Sequence, residues 1–346
     1  MVPLTPNDLE ARLRTIDWID DQIVLIDQTR LPREERQLQI TTVDDLIAAI
    51  SCLAVRGAPA LGAAGALGVL LAAHEAARSG WDEDTLHSAV QRLRGARPTA
   101  VNLARGVDRV AARLPEGVAA VRAEALHVLA EDGTANRAIG ASGARLLLEL
   151  TAAARVRVYT HCNAGALATV EWGTALGVVH SLFDLGRLGL VYAGETRPLL
   201  QGSRLTAWEL SRLGADYRIV VDGAGAGLIA AGEVDAVVVG ADRIAANGDV
   251  VNKVGTFPLA LAAARAGVPF VVAAPESTVD AETPDGRAVT IELRSEDEVL
   301  HVAGTRIAPA GARAYNPAFD VTPADLVTAV VTEQRVIRPA TGERPA

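Results

Sequence analysis

Two residues of this 346-residue chain, Cys162 and Asp242, combine reactive side chains with positions that suit chemistry. Each follows a run of β-branched and other apolar residues, VRVYT before the cysteine and AVVVGA before the aspartate. A thiol at a strand end, beside a glycine-containing turn that opens a helix, can have a lowered pKa and become reactive. A carboxyl group in an apolar pocket has a raised pKa and can act as a general acid. The alternatives are a buried structural thiol, and an aspartate that forms an ion pair or caps a helix.

The segment Arg56-Gly57-Ala58 has the composition of an anion-binding turn. It precedes an apolar run with helical spacing, and the first turn of a helix offers free backbone N–H groups and a positive dipole end to a phosphate. Glycine and alanine let the backbone approach a ligand closely, and Arg56 adds a bidentate charge. Asn252 and Lys253, which also precede a predicted helix, offer amide donors and a second cation. The alternative is helix packing through small residues, with Arg56 and Lys253 as solvated surface charges.

A glycine-rich segment after a predicted strand, Asp222–Gly227, is similar to a dinucleotide-binding loop but departs from it. Its third glycine comes one position too early for GxGxxG, and it lies in the middle of the sheet sequence instead of the first strand-to-helix turn. A tight turn into a helix is therefore the better interpretation, and we predict no bound NAD or other cofactor. Two cysteines without a CxxC pair predict neither zinc binding nor a disulfide scaffold, so no metal site is expected.

The sequence from about residue 126 predicts the sheet that would position these groups. Short β-branched runs alternate with helix-length segments, which is typical of a parallel sheet with right-handed crossovers, and their continuous apolar character fits strands buried on both faces. The predicted strands are Val156–Thr160, Leu188–Gly194, Tyr217–Asp222, Asp235–Asp242 and Pro269–Ala274. Because ligands in such sheets bind beyond the carboxyl ends of the strands, the turns that follow should line a site.

Residues 1–125 are predicted to be mostly helical, with one strand-like stretch at Ile23–Pro32. Thr42 and Asp45 provide a helix cap and an acidic first turn. The apolar run Ala58–Ala73 is shorter than the ~18 residues of a membrane span, so we interpret it as a buried helix. The predicted helices are Thr42–Leu53, Ala60–Ala77, Asp82–Arg94, Thr99–Ala112, Val118–Ala130 and Arg137–Leu150. We expect an α/β protein with a mostly helical N-terminal domain, 1–125, and a C-terminal parallel-sheet domain, 126–346.

Composition and charge exclude several classes of protein. Half of the residues are hydrophobic and 22% are charged, a balance that supports a substantial core and rules out intrinsic disorder. The net charge of −9, from 33 basic and 42 acidic residues, lacks the electrostatic footprint of a nucleic-acid-binding protein. The opening MVPLTPNDLE lacks the basic and apolar pattern of a secretory signal. We therefore expect a cytoplasmic protein that binds neither membranes nor nucleic acid.

Seven stretches together make the chain resemble the S-methyl-5-thioribose-1-phosphate isomerases. This family belongs to a superfamily that also holds ribose-1,5-bisphosphate isomerases and regulatory subunits of a translation-initiation exchange factor. The stretches occur in order over almost the whole chain. Each stretch alone would be weak evidence, but together they make the resemblance specific. They are IVLIDQTRLP (Ile23–Pro32), AVRGAPALGAAGALG (Ala54–Gly68), ARPTAVNL (Ala96–Leu103), THCNAGALATVEWGTALGVV (Thr160–Val179), ETRPLLQGSRLTAWEL (Glu195–Leu210), VVGADRIAANGDVVNKVGTFPLA (Val238–Ala260) and NPAFDVTPADL (Asn316–Leu326).

The resemblance implies roles for individual residues. Asp242 would be the proton donor, and Cys162 would stabilise the transition state. The residues that would hold the sugar phosphate are Arg56, Gly57, Ala58, Arg97, Gln201, Asn252 and Lys253. The resemblance also implies a homodimer whose C-terminal domain is Rossmann-like.

The implied activity converts S-methyl-5-thio-α-D-ribose 1-phosphate into S-methyl-5-thio-D-ribulose 1-phosphate, a step of methionine salvage. One loop departs from the family, which commonly has Asp, then Ser or Asn, then Met-Ala, where this chain has Asp222-Gly223-Ala224-Gly225. This departure leaves open an isomerase of 5-deoxyribose 1-phosphate or ribose 1,5-bisphosphate. A non-catalytic regulatory subunit is the other alternative, but such a protein has no reason to keep an acid, a thiol and a phosphate clamp together.

Overall fold

The computed structural model describes residues 14–98 and 100–346. Within these residues the chain forms two compact units. The first unit runs to Arg137 and also takes in Ala164–Gly173, and the second consists of Ala138–Asn163 and Thr174–Ala346. The expected mixed α/β fold with a parallel sheet is confirmed. The predicted domain boundary between residues 125 and 126 falls inside a helix and stays a prediction.

The first unit begins with a three-stranded antiparallel sheet, which the mostly helical prediction did not include. Its strands are β1 (Ile16–Ile19), β2 (Gln22–Ile26) and β3 (Gln37–Ile40). Ile23 and Leu25 of β2 are buried, as expected of a strand with one face on a core. The strand-like interpretation of Ile23–Pro32 is wrong beyond residue 26, because the Asp27 carboxylate accepts the amide and hydroxyl protons of Thr29 and turns the chain.

Five helices follow, and the last of them continues into the second unit. They are α1 (Val43–Ser51), α2 (Ala58–Ser79), α3 (Glu83–Arg94), α4 (Val101–Ala111) and α5 (Val118–Leu150). The side chain of Thr42 accepts the amide proton of Asp45, so the predicted cap of α1 is confirmed. The predicted start of α4 at Thr99 lies outside the described residues, and the helix begins at Val101.

Helix α2 forms the core of the first unit. Every residue of 63–73 is buried, which confirms the interpretation of the apolar run as a buried helix. By length and composition α2 could span a membrane, but 72% of its most apolar stretch is buried inside the protein. Glycines let it approach α4 closely. A Cβ atom on Gly106 would lie 2.1 Å from the carbonyl oxygen of Gly62. A Cβ atom on Gly65 would lie 2.6 Å from the carbonyl oxygen of Leu103.

Helix α5 corrects the predicted break between Val118–Ala130 and Arg137–Leu150, because it is continuous over 33 residues. The sequence EDGTAN between the two predicted helices is typical of a loop. In the structure, however, the Asp132 carboxylate accepts the amide proton of Val170 at 2.7 Å and a side-chain proton of Asn136 at 2.9 Å. The bond from Val170 is a tertiary contact, and the bond from Asn136 lies one turn along the same helix. Together they give the polar residues partners while the backbone stays helical, and they outweigh the local propensity.

The second unit contains thirteen strands within the described residues. They are β4 (Val156–Thr160), β5 (Leu188–Gly194), β6 (Tyr217–Val220), β7 (Ala236–Val239), β8 (Arg243–Ala245), β9 (Val250–Lys253), β10 (Phe270–Ala273), β11 (Val279–Asp280), β12 (His301–Val302), β13 (Thr305–Arg306), β14 (Phe319–Thr322), β15 (Ala329–Val331) and β16 (Val336–Ile337). All five strands predicted from the sequence are present, with shorter ends in three of them.

Seven of these strands form the main sheet, in the order β16-β15-β10-β7-β4-β5-β6. All of them are parallel except β16. The chain places β4, β5 and β6 successively towards one edge, and then returns to place β7, β10 and β15 on the other side of β4. The direction therefore reverses between β4 and β7, where Tyr159 lies beside Val237.

A second sheet has the order β11-β8-β9-β14, and β12 pairs with β13. The helices of this unit are α6 (Ala175–Asp184), α7 (Ala207–Leu213), α8 (Gly225–Ala230), α9 (Thr256–Ala266) and α10 (Asp297–Leu300), with a π-helical turn at Gly202–Thr206. Short 3₁₀ turns occur in both units, at Leu114–Glu116, Ala166–Ala168, Asp222–Ala224, Glu276–Thr278, Gly286–Ala288, Ala324–Leu326 and Pro339–Thr341. The 3₁₀ turn at Asp222 leads directly into α8, so the interpretation of this glycine-rich segment as a tight turn is confirmed.

Candidate functional site

The turns that carry Cys162 and Asp242 follow two neighbouring parallel strands. Cys162 comes two residues after the end of β4, and Asp242 comes three residues after the end of β7. Since β4 and β7 pair in parallel, both turns lie at the carboxyl edge of the main sheet, on the two sides of the chain reversal. Both side chains belong to half-buried residues. The carboxyl edge at a reversal of this kind is where open α/β sheets bind ligands.

The Cys162 peptide is held on both sides by threonine hydroxyl groups. Its N–H donates to Thr196 Oγ1 at 2.9 Å, and its carbonyl oxygen accepts from Thr206 Oγ1 at 2.6 Å. The cysteine has a left-handed backbone, with φ +62°. Few non-glycine residues adopt this conformation, and those that do concentrate at functional sites. The backbone that carries the thiol is thus fixed by its neighbours.

The loop after β5 supplies these hydroxyl groups and also carries Gln201. It turns through left-handed residues at Thr196 and Leu200 and continues into the π-helical turn. The turn packs tightly, because a Cβ atom on Gly202 would lie 1.7 Å from the carbonyl oxygen of Gly194. Gln201 is 7% exposed, and its Oε1 atom has no hydrogen-bond donor among the described residues. A buried acceptor without a donor is unfavourable unless a ligand supplies one, which fits the predicted substrate role.

His161 connects the Cys162 turn to the turn after β9. Its Nε2 atom lies 2.8 Å from the carbonyl oxygen of Val254, which can only accept, so Nε2 carries the proton. The ring is 2% exposed, and this burial lowers the pKa of His161, so the side chain is neutral at physiological pH. Gly255 leaves room for the His161 ring beside Val254, since a Cβ atom at position 255 would lie only 2.8 Å from Nε2.

Asp242, Asn252 and Lys253 lie together around the start of β8 and the end of β9. The amide of Asp242 donates to the carbonyl oxygen of Val251 at 3.0 Å, and β8 then pairs antiparallel with β9. The buried Asn252 donates to Thr256 Oγ1 at 3.0 Å. Lys253 Nζ donates to the carbonyl oxygen of residue 318 and lies 4.7 Å from the ring centroid of the next residue, a phenylalanine. The ammonium group is therefore directed by fixed contacts and not loosely solvated.

Asp320 is a polar group of this region that the sequence analysis did not single out. It pairs with Asn252 across β9 and β14, and its carboxylate accepts the amide protons of Gly255 at 2.7 Å and Phe257 at 3.2 Å. Burial raises the pKa of Asp320 to about 6, against the opposing effect of these amides and of Lys253. The stretch NPAFDVTPADL contained this residue, but nothing in its local spacing identified the carboxylate.

The turn that the sequence predicts to bind an anion lies at the start of α2 in the first unit. Gly57, with φ +97°, immediately precedes α2, and Ala58 is its first residue. Arg56 Nε donates to Gln28 Oε1 at 3.0 Å, and Gln28 Nε2 donates to the carbonyl oxygen of Leu167 at 2.7 Å. Arg56 is thus held by a side chain instead of being a fully solvated surface charge. The free N–H groups of the first turn of α2 suit a phosphate.

Arg97, the other predicted cation of the first unit, is half-buried in the turn between α3 and α4. Its carbonyl oxygen accepts the amide proton of Ala100, which leads into α4. The predicted residues Arg56, Gly57, Ala58 and Arg97 all belong to the first unit. The second unit holds Cys162, Gln201, Asp242, Asn252 and Lys253.

No group of three or more His, Cys, Asp or Glu side chains within residues 14–98 and 100–346 could hold a metal ion. The polar residues present, a thiol, carboxyl groups, amides and cations, are those of acid–base chemistry on an anionic substrate.

Comparison with known proteins connects this geometry with one family. The Initiation factor 2 subunit family matches residues 54–339. A probable bifunctional methylthioribose-1-phosphate isomerase/methylthioribulose-1-phosphate dehydratase from Nocardia farcinica is 50% identical over 96% of this chain, which spans 60% of that protein. A methylthioribose-1-phosphate isomerase from Anaeromyxobacter sp. (strain K) is 54% identical over 92% of this chain and 91% of its own length.

Two solved structures are also similar. A 5-methylthioribose 1-phosphate isomerase from Pyrococcus horikoshii superposes with a TM-score of 0.87 at 38% identity, covering 98% of this chain and 96% of that one. A structure described as translation initiation factor eIF-2B, subunit delta, from A. fulgidus has a TM-score of 0.82 at 44% identity, covering 94% of this chain and 96% of that one.

Proposed function

Since the chain belongs to the Initiation factor 2 subunit family and, within it, to the methylthioribose-1-phosphate isomerases, we propose that it converts S-methyl-5-thio-α-D-ribose 1-phosphate into S-methyl-5-thio-D-ribulose 1-phosphate. The observation that supports this activity most directly is the pair of turns with Cys162 and Asp242 on the neighbouring strands β4 and β7. The product would feed the salvage of methionine.

Ring opening needs an acid, and we assign this role to Asp242. The phosphate on the anomeric carbon prevents the sugar ring from opening spontaneously, so a proton must be delivered to the ring oxygen. General acid catalysis of this kind contributes about 10²–10⁴ in rate. Asp242 is half-buried and follows the apolar strand β7 at the carboxyl edge of the main sheet, where open α/β sheets bind ligands.

Hydrogen must then move from C2 to C1 for the aldose to become a ketose, and Cys162 is the residue assigned to this step. A hydride can pass directly from C2 to C1, or Cys162 can remove a proton from C2 and an enediolate can take a proton up at C1. In both routes C1 gains one hydrogen and C2 loses one. The C2 hydroxyl group also releases its proton as the ketone forms, which balances the proton that Asp242 gave to the ring oxygen, so the product is an isomer of the substrate. Turnover in deuterated water distinguishes them, because solvent deuterium at C1 of the product rules out a pure hydride shift.

The phosphate and hydroxyl groups of the substrate have assigned partners as well. Arg56, with the backbone N–H groups of Gly57 and Ala58, would bind the phosphate, as the start of a helix and a guanidinium group commonly do. Arg97 would hold the substrate in the same unit. In the second unit, Asn252 and Lys253 would bind the substrate. Gln201 Oε1, the buried acceptor without a donor, would accept a hydrogen bond from a sugar hydroxyl group.

A coupled assay with three sugar phosphates tests the activity and its specificity. We expect turnover of 5-methylthioribose 1-phosphate with a higher kcat/KM than the 5-deoxy and 5-phospho analogues. Cys162→Ser, purified in parallel, is the control for contaminating isomerases. Faster turnover of either analogue would assign the protein to the related sugar-phosphate isomerases, whereas the absence of turnover with all three would contradict an isomerase.

A regulatory subunit is the second candidate function, and the A. fulgidus structure, which is described as an initiation factor subunit, favours it. Such a protein acts by binding a partner and needs neither an acid nor a positioned thiol. The sugar-phosphate assay distinguishes the two candidates, because the isolated chain of an isomerase turns over its substrate and a regulatory subunit does not.

The wider organisation that we propose is a cytoplasmic homodimer with a mostly helical domain, 1–125, and a Rossmann-like domain, 126–346. Light scattering should give a molar mass about twice the 36.0 kDa of the chain. Limited proteolysis should cut near residue 125 if the domains separate there, and cleavage elsewhere would move the boundary.

A further inference from the structure

The Cys162 thiol depends on a backbone arrangement that is unfavourable by itself. Cys162 and Thr196 are both left-handed, with φ values of +62° and +65°, and they are joined by the bond from the cysteine N–H to Thr196 Oγ1. A left-handed conformation is least favourable for a β-branched residue such as threonine. Thr196 is fully buried, so its conformation is imposed by the surrounding structure and not by water.

The carboxylate of Asp222 holds the peptide groups on both sides of Thr196. Asp222 Oδ1 accepts the amide proton of Thr196 at 2.9 Å, and Oδ2 accepts that of Arg197 at 2.7 Å. Two bonds from consecutive amides to one charged acceptor are stronger than neutral hydrogen bonds and fix the orientation of the peptide between them. With its amide held, Thr196 directs its hydroxyl to the carbonyl oxygen of Gly194 as a donor and to the Cys162 amide as an acceptor.

The charges around Asp222 indicate that these amides are its main partners. The only cationic candidate within 4.0 Å among the described residues is His161, whose Nδ1 atom lies 4.0 Å from Oδ1. His161 carries its proton on Nε2, which donates to Val254, and its burial lowers its pKa, so it brings no positive charge. Glu195 lies on the other side, where its Oε1 atom accepts the amide proton of Asp222 at 3.4 Å.

We propose that Asp222 and Thr196 are positioning residues of the isomerisation. The carboxylate holds two consecutive amides of the loop after β5, and the Thr196 hydroxyl transmits this constraint to the Cys162 amide. These bonds thereby position the thiol, although neither Asp222 nor Thr196 contacts the substrate. The inference rests on the proposed function for the role of the thiol, but the hydrogen-bond relay itself concerns only the free protein.

The test compares two substitutions at position 196 that differ in one group. Thr196→Val keeps the shape of the side chain and removes the hydroxyl, and Thr196→Ser keeps the hydroxyl and removes the methyl. We expect Thr196→Val to lower kcat by about 10–100-fold, because a reacting group displaced by about 1 Å can cost 10²-fold, with KM changed less than about twofold. Thr196→Ser should restore kcat to within about threefold of the wild type.

Hydrogen–deuterium exchange gives a readout that does not depend on activity. The Cys162 amide is protected by Thr196 Oγ1, so its exchange should accelerate at least about tenfold in Thr196→Val and stay unchanged in Thr196→Ser. Asp222→Asn, which replaces one acceptor oxygen by an NH₂ group facing an amide, should reproduce the Val variant in both measurements. Unfolding temperatures measured in parallel exclude global loss of the fold as the cause.

The outcomes separate this inference from the proposed function. Wild-type kcat in Thr196→Val or Asp222→Asn, or equal loss of kcat in the Ser and Val variants, overturns the positioning role. Unchanged exchange of the Cys162 amide in Thr196→Val overturns the relay. If the wild type turns over no sugar phosphate while the exchange pattern is as expected, the proposed function fails and the relay stands.

Discussion

Asp242 is the residue on which ring opening depends in the proposed mechanism. Asn at this position keeps the size of the side chain and its hydrogen-bonding shape but has no proton to give. We therefore expect Asp242→Asn to lower kcat by about 10²–10⁴-fold, the usual contribution of a general acid, while KM changes less than about threefold. Steady-state kinetics with 5-methylthioribose 1-phosphate measures both values, and wild-type kcat in this variant would refute the acid role.

Arg97 should affect binding and not turnover. A phosphate that stays on the sugar throughout the reaction is bound about equally in the ground state and the transition state, and loss of such binding raises KM with kcat unchanged. We expect Arg97→Ala to raise KM at least about tenfold. Arg94→Ala is the matched control, since Arg94 is exposed and paired with Asp108 on the surface. A loss of kcat in Arg97→Ala at unchanged KM would contradict its assignment to the phosphate.

The sequence singled out Cys162 and Asp242 as candidates because each follows a predicted apolar strand. It could not identify Thr196 and Asp222 as partners of the cysteine turn, because their contacts cross from the ends of β5 and β6 to the end of β4. Asp320 was not identified for the same reason, because the backbone amides that donate to it lie more than sixty residues earlier in the chain. Contacts of this kind depend on strand order, which spacing along one strand does not report.

Among the elements, helix α5 carries a carboxyl group that makes stability depend on pH. Desolvation raises the pKa of Asp132 to about 7, and the nearby Glu171 adds to this effect. In the unfolded chain the group ionises near pH 3.9. Between about pH 4 and 7 the unfolded state therefore releases a proton that the folded state keeps, so this group lowers the free energy of unfolding as the pH rises.

Asp132→Asn tests this effect, because the amide oxygen can still accept from Val170 and cannot ionise. We expect the unfolding temperature of the variant, relative to that of the wild type, to increase as the pH is raised from 4 to 7 and to level off above. Thermal unfolding followed by circular dichroism across this range measures the difference. A difference that stays constant with pH would show that Asp132 is ionised already at pH 4.

The contact between α2 and α4 depends on glycines. Alanine normally stabilises a helix interior relative to glycine, by about 1 kcal/mol. A Cβ atom at 106 would nevertheless lie 2.1 Å from a carbonyl oxygen of α2, so the two helices would have to separate. We expect Gly106→Ala to lower the free energy of unfolding by about 1–3 kcal/mol, as overpacking commonly does.

Chemical denaturation of Gly106→Ala and of a matched variant measures this effect. Gly95→Ala is the control, because the nearest atom to its Cβ would lie at 3.5 Å, an ordinary contact, and its φ of −88° suits alanine. The control should stay within about 0.5 kcal/mol of the wild type. Equal stability of both variants would mean that the helices separate without loss.

Element type could be predicted from the sequence wherever an apolar pattern was long or uninterrupted. VRVYT and LGLVYAG match β4 and β5 in full because most positions of strands inside a parallel sheet are buried and apolar, with the half-buried Arg157 paired to Asp235 as an exception. The helix break predicted near Asp132 was wrong because polar residues that favour a loop found buried partners on another segment. The short strands β8 and β14 lack any pattern that distinguishes them from turns.

For the whole molecule, a chain with net charge −9 has to bind a phosphate dianion. Placed cations reverse the long-range repulsion only within the screening length of about 8–10 Å. The proposed clamp of arginine, lysine and backbone N–H groups provides such cations without a metal ion. Dialysis against EDTA should therefore leave kcat and KM unchanged, and loss of activity that added Mg²⁺ or Zn²⁺ restores would contradict a clamp built from this chain alone.

The close approach of Gly202 to Gly194 has a consequence for how this sequence can vary. A side chain of any kind at position 202 would overlap a carbonyl oxygen, whereas at Gly223 the surrounding space is open. A saturation library selected for growth on the substrate should return glycine alone at the first position and nearly every amino acid at the second. Such a result would show that position 223, where this chain departs from the family pattern, can change freely during evolution. Position 202, in the turn after β5, would be fixed as glycine.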